Sequence, residues 1–148
     1  MATKAKEFRF PVAVEWRDGR TVCARVAGKD TVAVTSPPEF NREADPSVWS
    51  PEDLFGAAAA ACLAVTITGL AQREELPLLR LAVSAVGVVG RRVDGAFGFT
   101  KLEQRVELDT RSGEEERAHA LVEKAKQTCL VTVSLDLDVE TEILVSGT

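Results

Sequence analysis

The most regular feature of the sequence is an alternation of apolar and polar residues toward its end. Val131, Val133, Leu135, Leu137 and Val139 alternate with Thr132, Ser134, Asp136, Asp138 and Glu140. A period of two residues is typical of a strand that buries one face. The pattern therefore predicts a strand over about residues 131–140.

Shorter segments of the same kind predict five further strands. Three of them cover residues 8–16, 20–27 and 31–35, with turn clusters at Arg17-Asp18-Gly19 and Ala27-Gly28-Lys29-Asp30. A polar loop that contains proline follows from Ser36 to Trp49, and its length marks it as a candidate functional loop. Two more strands are expected over residues 78–90 and 97–108.

Two helices complete the pattern. The first begins at Ser50-Pro51-Glu52-Asp53, where a capping residue, a proline and two acids precede an apolar run that extends to about Arg73. The second is expected to open at Ser112, with Glu115 completing a capping box. Its apolar stripe is Ala118, Leu121, Val122 and Ala125, continued by Cys129. The order βββ-α-ββ-α-β predicts an α+β fold with an antiparallel sheet, in one domain over residues 1–148.

Composition narrows the classes of function. The chain has 148 residues and a net charge of −5, which argues against nucleic acid and anionic membranes as partners. We expect no stretch long enough to span a bilayer and no secretory signal in MATKAKEFRF, which predicts a cytoplasmic protein. One histidine and three cysteines without a CxxC pair argue against a zinc site. We expect no metal and no bound cofactor.

The candidate chemistry lies in the first helix, in the stretch GAAAAACLAVTITGL. Cys62 is surrounded on its own face by small residues, at positions 58, 59, 66 and 69. So narrow a face either packs closely on another helix or lines a pocket. Cys129 continues the inward stripe of the second helix, so both thiols are expected to point into the core and can meet there.

The residues alone leave open whether these cysteines are reactive or inert core residues. A reactive cysteine needs a positive charge nearby, and the helix carries none from Leu54 to Ala71. Arg17 is the first candidate for that charge and Arg20 the second, although a turn arginine is usually only solvated. Cys23 lies within a predicted strand and is interpreted as structural.

Three segments together resemble the OsmC/Ohr family of peroxide-detoxifying proteins. SPEDLFGAAAAACL is similar to the family's central helix, AKQTCLVTVSL to the segment with its second cysteine, and WRDGR to the turn with its active-site arginine. The order of elements agrees over nearly the whole chain. The family often has Cys-Pro-x-Ser where this chain has Cys129-Leu130-Val131-Thr132, which indicates an OsmC-like branch.

The resemblance implies an antioxidant, cysteine-based peroxidase that forms an intertwined homodimer. It implies that Cys62 attacks an organic hydroperoxide and becomes a sulfenic acid, and that Cys129 then forms a disulfide with it. Arg17 would hold the thiolate, and Glu52 would orient Arg17. The implied reductant is a dithiol, in the family often a lipoylated protein. A redox-switched binding or sensing dimer that uses the same cysteine pair is the alternative, and a structural dimer with reduced core cysteines is a third reading.

Helix geometry constrains where Glu52 can act. On a straight helix Glu52 and Cys62 lie about 15 Å apart along the axis and roughly 80° apart around it. They can share a site only if the helix bends near Gly56 or if the glutamate beside Cys62 belongs to a second chain. Two helices that pack antiparallel and cross near Ala57 would meet the second condition, which predicts a homodimer.

Overall fold

The computed structural model describes residues 5–148 and shows a mixed α+β chain, which confirms the predicted fold class. The elements are β1 (Ala13–Asp18), β2 (Thr21–Arg25), β3 (Val32–Val34), α1 (Pro51–Arg73), β4 (Leu78–Arg91), β5 (Phe97–Thr110), α2 (Glu115–Thr128), α3 (Leu130–Val133) and β6 (Asp138–Gly147). They form two compact units, one ending at Pro51 and one spanning Glu52–Thr148. The single-domain organisation stays a prediction.

The first unit is an antiparallel sheet in the order β1-β2-β3. The tight turn between β1 and β2 lies at Gly19, whose φ of 49° suits glycine. The sequence pattern placed Arg17 in this turn, whereas the structure places it inside β1, at a register shift between Trp16 and Asp18. After β3 the loop returns to the sheet, because the Thr35 N–H donates to the Trp49 carbonyl oxygen at 2.8 Å.

The second unit contains a sheet in the order β4-β5-β6. β4 and β5 are antiparallel, but β6 runs parallel to β5, from the pair Lys101–Asp138 to the pair Thr110–Gly147. The predicted antiparallel sheet is therefore corrected for its last strand. Parallel neighbours need a crossover connection, and α2 with α3 provides it.

The predicted strand over residues 131–140 was wrong in its first half. Leu130–Val133 form the one-turn helix α3, and β6 begins only at Asp138. Side-chain hydroxyls stabilise this turn: Ser134 Oγ donates to the Leu130 carbonyl at 2.7 Å, and Thr132 Oγ1 donates to the Cys129 carbonyl at 3.4 Å. Such local bonds compete with strand pairing, so the apolar–polar alternation of this segment does not produce a strand.

The predicted capping box of the second helix was also wrong. α2 begins at Glu115, after an N-cap residue, Glu114, that forms no side-chain cap bond. Ser112 instead lies at the sheet edge, where its N–H donates to the Thr148 carbonyl at 3.3 Å. The Glu115 carboxylate accepts a hydrogen bond from the Gly113 N–H at 2.7 Å. The Ser112 N–H, which a capping box would pair with Glu115, is therefore bonded to Thr148, the residue that follows β6.

α1 begins and ends as predicted and is the central helix of the second unit. Its buried residues are Ala59, Leu63, Ile67, Leu70 and Ala71. Most of these pack in one core cluster with residues of β5 and α2, including Val106, Leu108, Leu121 and Val122. On the rest of its surface apolar residues remain exposed, with Val65 at 70%.

The expectation that no stretch could span a bilayer was wrong as to length. By length and composition, α1 is apolar enough to cross a membrane, and only 28% of its most apolar window is buried. The core helix of a soluble protein can be equally long and apolar, and α1 contributes Leu63, Ile67 and Leu70 to the hydrophobic core. Its packing is that of a core helix with one uncovered side.

Candidate functional site

The structure brings Cys62 and Cys129 together, as the helical pattern predicted. Cys62 lies in the middle of α1, is partly exposed, and packs against the core cluster that contains Cys129. Cys129 lies between α2 and α3 and is 0% exposed. Each thiol shifts the pKa of the other, and neither cysteine takes part in a disulfide.

The surroundings of Cys129 favour its thiolate. Cys129 has an extended backbone (φ −67°, ψ 107°) and serves as both the C-cap of α2 and the N-cap of α3. Burial raises the pKa of the Cys129 thiol, but hydrogen bonds from the Thr132 hydroxyl and N–H, from Cys62 and from the Val131 N–H together outweigh it. The net result is a pKa for Cys129 below its ordinary value.

The pKa of Cys62 moves in the opposite direction. Burial raises the pKa of the Cys62 thiol, and the neighbouring Cys129 raises it further. The backbone N–H groups of Val131 and Leu130 act against this shift without reversing it. Because the two shifts have opposite directions, Cys129 is the more acidic thiol of the pair.

Sequence reasoning did not include Thr132 among the site residues. A threonine three positions after Cys129 could have indicated this contact. The regular alternation of the segment instead favoured a strand, in which successive side chains point to opposite faces. The one-turn helix α3 instead brings the hydroxyl back to Cys129, whose carbonyl oxygen accepts its hydrogen bond at 3.4 Å, and the hydroxyl contributes to the lowered pKa of the Cys129 thiol. Thr132 is therefore part of the thiol environment.

Glu52 lies in the first turn of α1, as predicted. Its Oε2 atom is buried and has no hydrogen-bond partner among the residues that the structure describes. α1 is uninterrupted through Gly56, so Glu52 and Cys62 remain ten residues apart on one helix. A break in the helix near Gly56 thus does not bring the two residues together.

Arg17 belongs to the first unit, while the other three predicted site residues belong to the second. Its Nε atom lies 3.7 Å from Asp18 Oδ2, and its side chain is 62% exposed. The register shift at Arg17 is a bulge, a device that often redirects a side chain at the edge of a sheet. The catalytic roles of Arg17, Glu52, Cys62 and Cys129 stay predictions.

No metal centre accompanies this site in the described part of the chain. Between residues 5 and 148, no three histidine, cysteine, aspartate or glutamate side chains are grouped as metal ligands would be. The single histidine, His119, is exposed on α2.

Comparison with known proteins identifies the family. The sequence model described as OsmC-like protein matches residues 44–143. An OsmC-like protein of unknown function from Vibrio cholerae has a similar structure, with a TM-score of 0.86 at 18% identity over 93% of this chain and 100% of that one. An organic hydroperoxide resistance protein from Elizabethkingia anophelis gives a TM-score of 0.77 at 21% identity, over 98% of this chain and 100% of that one.

A third similar structure is the organic hydroperoxide resistance protein OhrB of Bacillus subtilis. Its TM-score is 0.66 at 21% identity, over 92% of this chain and 98% of that one. No curated protein matches the sequence significantly. At these identities the solved structures show a shared fold, and the matched sequence model extends over about two thirds of the chain. The chain therefore belongs to the OsmC-like protein family.

Proposed function

We propose that this protein is a thiol-dependent peroxidase that reduces organic hydroperoxides to alcohols. The observation that carries the proposal is the pair of free thiols in one core cluster, one partly exposed and one buried, on the central helix and the crossover of an OsmC-like fold. Two proteins of similar structure are named for organic hydroperoxide resistance. Free thiols of this kind suit the reducing cytoplasm.

The first step uses Cys62, because its sulfur is the exposed member of the pair. The Cys62 thiolate attacks the terminal oxygen of the hydroperoxide, the O–O bond breaks, and the alkoxide leaves and takes up a proton to become an alcohol. Cys62 is oxidised to a sulfenic acid. The apolar surface of α1 around Cys62 favours an organic peroxide over hydrogen peroxide.

The second step uses Cys129, which the site holds as the more acidic thiol. The Cys129 thiolate attacks the sulfenic sulfur, the S–O bond breaks, and the oxygen leaves as hydroxide, which takes up a proton from solvent to become water. A disulfide now joins the two cysteines. A dithiol reductant then restores both thiols by exchange and is itself oxidised to a disulfide.

Arg17 and Glu52 have supporting roles in this proposal. Because burial raises the pKa of the Cys62 thiol, the first step needs a cation that stabilises its thiolate. Arg17 is the candidate for that cation, and Glu52 the carboxylate that orients it. The buried, unpartnered Oε2 of Glu52 supports a cationic partner, since a buried carboxylate oxygen is costly without one.

The active form in this proposal is a homodimer. Exposed apolar side chains mark one side of α1, at Ala58, Ala61 and Val65, and a second copy of the chain is the partner that the predicted antiparallel crossing near Ala57 provides. Gel filtration with light scattering at micromolar concentration should give a dimer, and Val65→Lys should give a monomer. A wild-type monomer contradicts this arrangement.

One observation favours a redox-switched binding or sensing dimer as the second candidate. The raised pKa of the Cys62 thiol slows peroxide attack unless a cation compensates, whereas a switch can oxidise slowly. The same cysteine pair would then form a disulfide without turnover. Reversible disulfide formation without multiple turnovers of peroxide would favour this candidate.

The deciding experiment is stopped-flow oxidation of the reduced protein by cumene hydroperoxide and, separately, by hydrogen peroxide. Cys62→Ser should abolish the fast reaction, while Cys129→Ser should react once and accumulate a sulfenic acid that dimedone traps. Cys23→Ser is the matched control, because Cys23 is also a partly buried free thiol, and it should react like wild type. Equal reactivity of wild type and Cys62→Ser would refute the proposal.

A further inference from the structure

Gln104 is a polar residue in an apolar layer of the second sheet. Every second residue of β5 from position 102 to position 110 is buried, and Leu102, Val106 and Leu108 among them are apolar. Gln104 lies in the same row and is 4% exposed. A buried amide costs free energy unless it forms hydrogen bonds, so this side chain needs a partner in the layer that covers the sheet.

The partner is the backbone of α1. The Gln104 side-chain amide donates to the Ala59 carbonyl oxygen at 3.3 Å, and Ala59 is 0% exposed. Ala59 lies three residues before Cys62, so the two residues are neighbours on one face of the helix. Because a helix is regular over one turn, a bond that fixes Ala59 relative to β5 also fixes the backbone of Cys62.

Packing alone holds this turn of α1 only weakly. Residues 57–61 are all alanine, and their short side chains make fewer van der Waals contacts than Leu63 and Ile67 of the following turns. Apolar contact is also non-directional, whereas a hydrogen bond is directional. The bond from Gln104 therefore defines a position of this turn along the sheet that the alanines do not define.

Gln104 also borders the crossover that carries Cys129. It lines a cavity of about 180 Å³ together with Lys126 of α2 and with Thr132 and Val133 of α3. Cys129 lies between these two helices, as the C-cap of α2 and the N-cap of α3. One side chain is thus bonded to the turn before Cys62 and adjacent to both helices that flank Cys129.

We propose that Gln104 is a positioning residue that sets the placement of Cys62 relative to Cys129 and thereby favours the disulfide over the two thiols. This inference rests on the proposed function, because it concerns the disulfide of the proposed cycle. Gln104 acts through the backbone of α1 and not on the reacting atoms. A disulfide forms only within a narrow range of distances and angles, so a turn of α1 that is free to shift forms it less readily.

The test uses thiol exchange with glutathione disulfide, so it does not depend on peroxide chemistry. The Cys62 thiolate attacks glutathione disulfide, one glutathione leaves as a thiolate, and a mixed disulfide remains on Cys62. The Cys129 thiolate then attacks the Cys62 sulfur, and the second glutathione leaves. The protein loses two electrons and two protons, and glutathione disulfide takes them up to become two molecules of glutathione.

The variants are Gln104→Met and the matched control Thr110→Val, each in a Cys23→Ser background. Methionine keeps the length of glutamine and lacks the amide. Thr110 lies in the same buried row of β5, is 0% exposed, and donates to the Pro77 carbonyl oxygen, so its replacement also removes a buried bond to the backbone. Each protein is equilibrated with glutathione and glutathione disulfide at one pH, and the oxidised fraction is measured by thiol alkylation and mass spectrometry.

The equilibrium constant for disulfide formation should fall about 3- to 10-fold in Gln104→Met, the factor that one hydrogen bond contributes. In Thr110→Val it should stay within about twofold of the parent protein. A substitution that destabilises the reduced and the oxidised protein equally leaves this constant unchanged, so a merely structural role would not move it. An unchanged constant in Gln104→Met, or an equal fall in both variants, overturns the inference.

A second variant and a second measurement cover the case of misfolding. If Gln104→Met does not fold, Gln104→Leu takes its place with the same expected fall. If neither variant folds, the side-chain amide signals of Gln104 are followed by NMR in the wild-type protein. A change in these signals when the pair is oxidised supports the inference, and unchanged signals overturn it. A protein that shows the expected exchange equilibria but does not reduce peroxides overturns the proposed function and leaves the inference standing.

Discussion

Replacement of Gly87 by alanine tests how closely α1 packs on the sheet. Gly87 lies in β4 beneath two aromatic rings, Phe55 of α1 and Phe99 of β5, which are stacked with centroids 4.1 Å apart. A Cβ atom at Gly87 would lie 2.6 Å from Cε1 of Phe99 and 3.3 Å from Cδ1 of Phe55. The first distance is shorter than van der Waals contact, so at least one ring must move.

The expected cost follows from two opposing effects. Alanine in a strand is favoured over glycine by about 0.5–1 kcal/mol, because glycine loses more freedom on folding. Forcing an extra methyl group into a packed site costs about 1–3 kcal/mol. Steric displacement exceeds the backbone gain here, and Gly87→Ala should lower the free energy of unfolding by about 0.5–2 kcal/mol.

The assay is urea denaturation at one fixed protein concentration, because the unfolding of a dimer depends on concentration. Gly90→Ala is the matched control: it lies in the same strand, and its Cβ would meet Thr100 at an ordinary 3.7 Å. We expect Gly90→Ala to be neutral or slightly stabilising, and Phe99→Leu to recover part of the loss in Gly87→Ala. Equal stability of the two alanine variants would refute the steric reasoning.

Three further perturbations have defined outcomes. Thr110→Val should lower the free energy of unfolding by about 1–2 kcal/mol in urea denaturation, because the buried Thr110 hydroxyl donates to the Pro77 carbonyl at 2.6 Å; a neutral result would show that this bond adds nothing. Gly147→Ala should lower the free energy of unfolding, because the new Cβ would overlap the Glu115 carboxyl group. Combining it with Glu115→Ala should remove that penalty, and additive losses in the double-mutant cycle would disprove the contact. A hydrogen bond from Lys124 holds the pKa of Glu74 below its ordinary value. The ionised Glu74 therefore stabilises the fold above its unfolded pKa, and this contribution is lost as the pH falls through its folded pKa. In an NMR titration Lys124→Ala should raise the pKa of Glu74, and an unchanged value would contradict the pairing.

Features that depend on local chemistry could be predicted from the sequence. The beginning of α1 follows from Ser50, Pro51 and two acids, and its end near Arg73 precedes a proline. The meeting of Cys62 and Cys129 follows from two apolar stripes that share one core. Each of these features depends on residues that lie within one or two turns of the same helix.

Features that depend on distant partners could not be predicted. The parallel pairing of β6 with β5 is decided by the route of the crossover. Ser112 resembled a helix cap, but its N–H pairs with Thr148 at the far end of the chain. The opposite pKa shifts of the two thiols depend on α3, a turn that the alternation around Val131 and Val133 conceals.

The crossover that carries Cys129 also determines what oxidation would do to the fold. A disulfide from Cys62 to Cys129 would enclose the rest of α1, both long antiparallel strands and α2 in one covalent loop. By chain entropy alone, closing a loop of that length stabilises a folded protein by about 4 kcal/mol. The oxidised protein would then resist heat and proteolysis better than the reduced protein, so the amount of intact chain would depend on earlier exposure to oxidant.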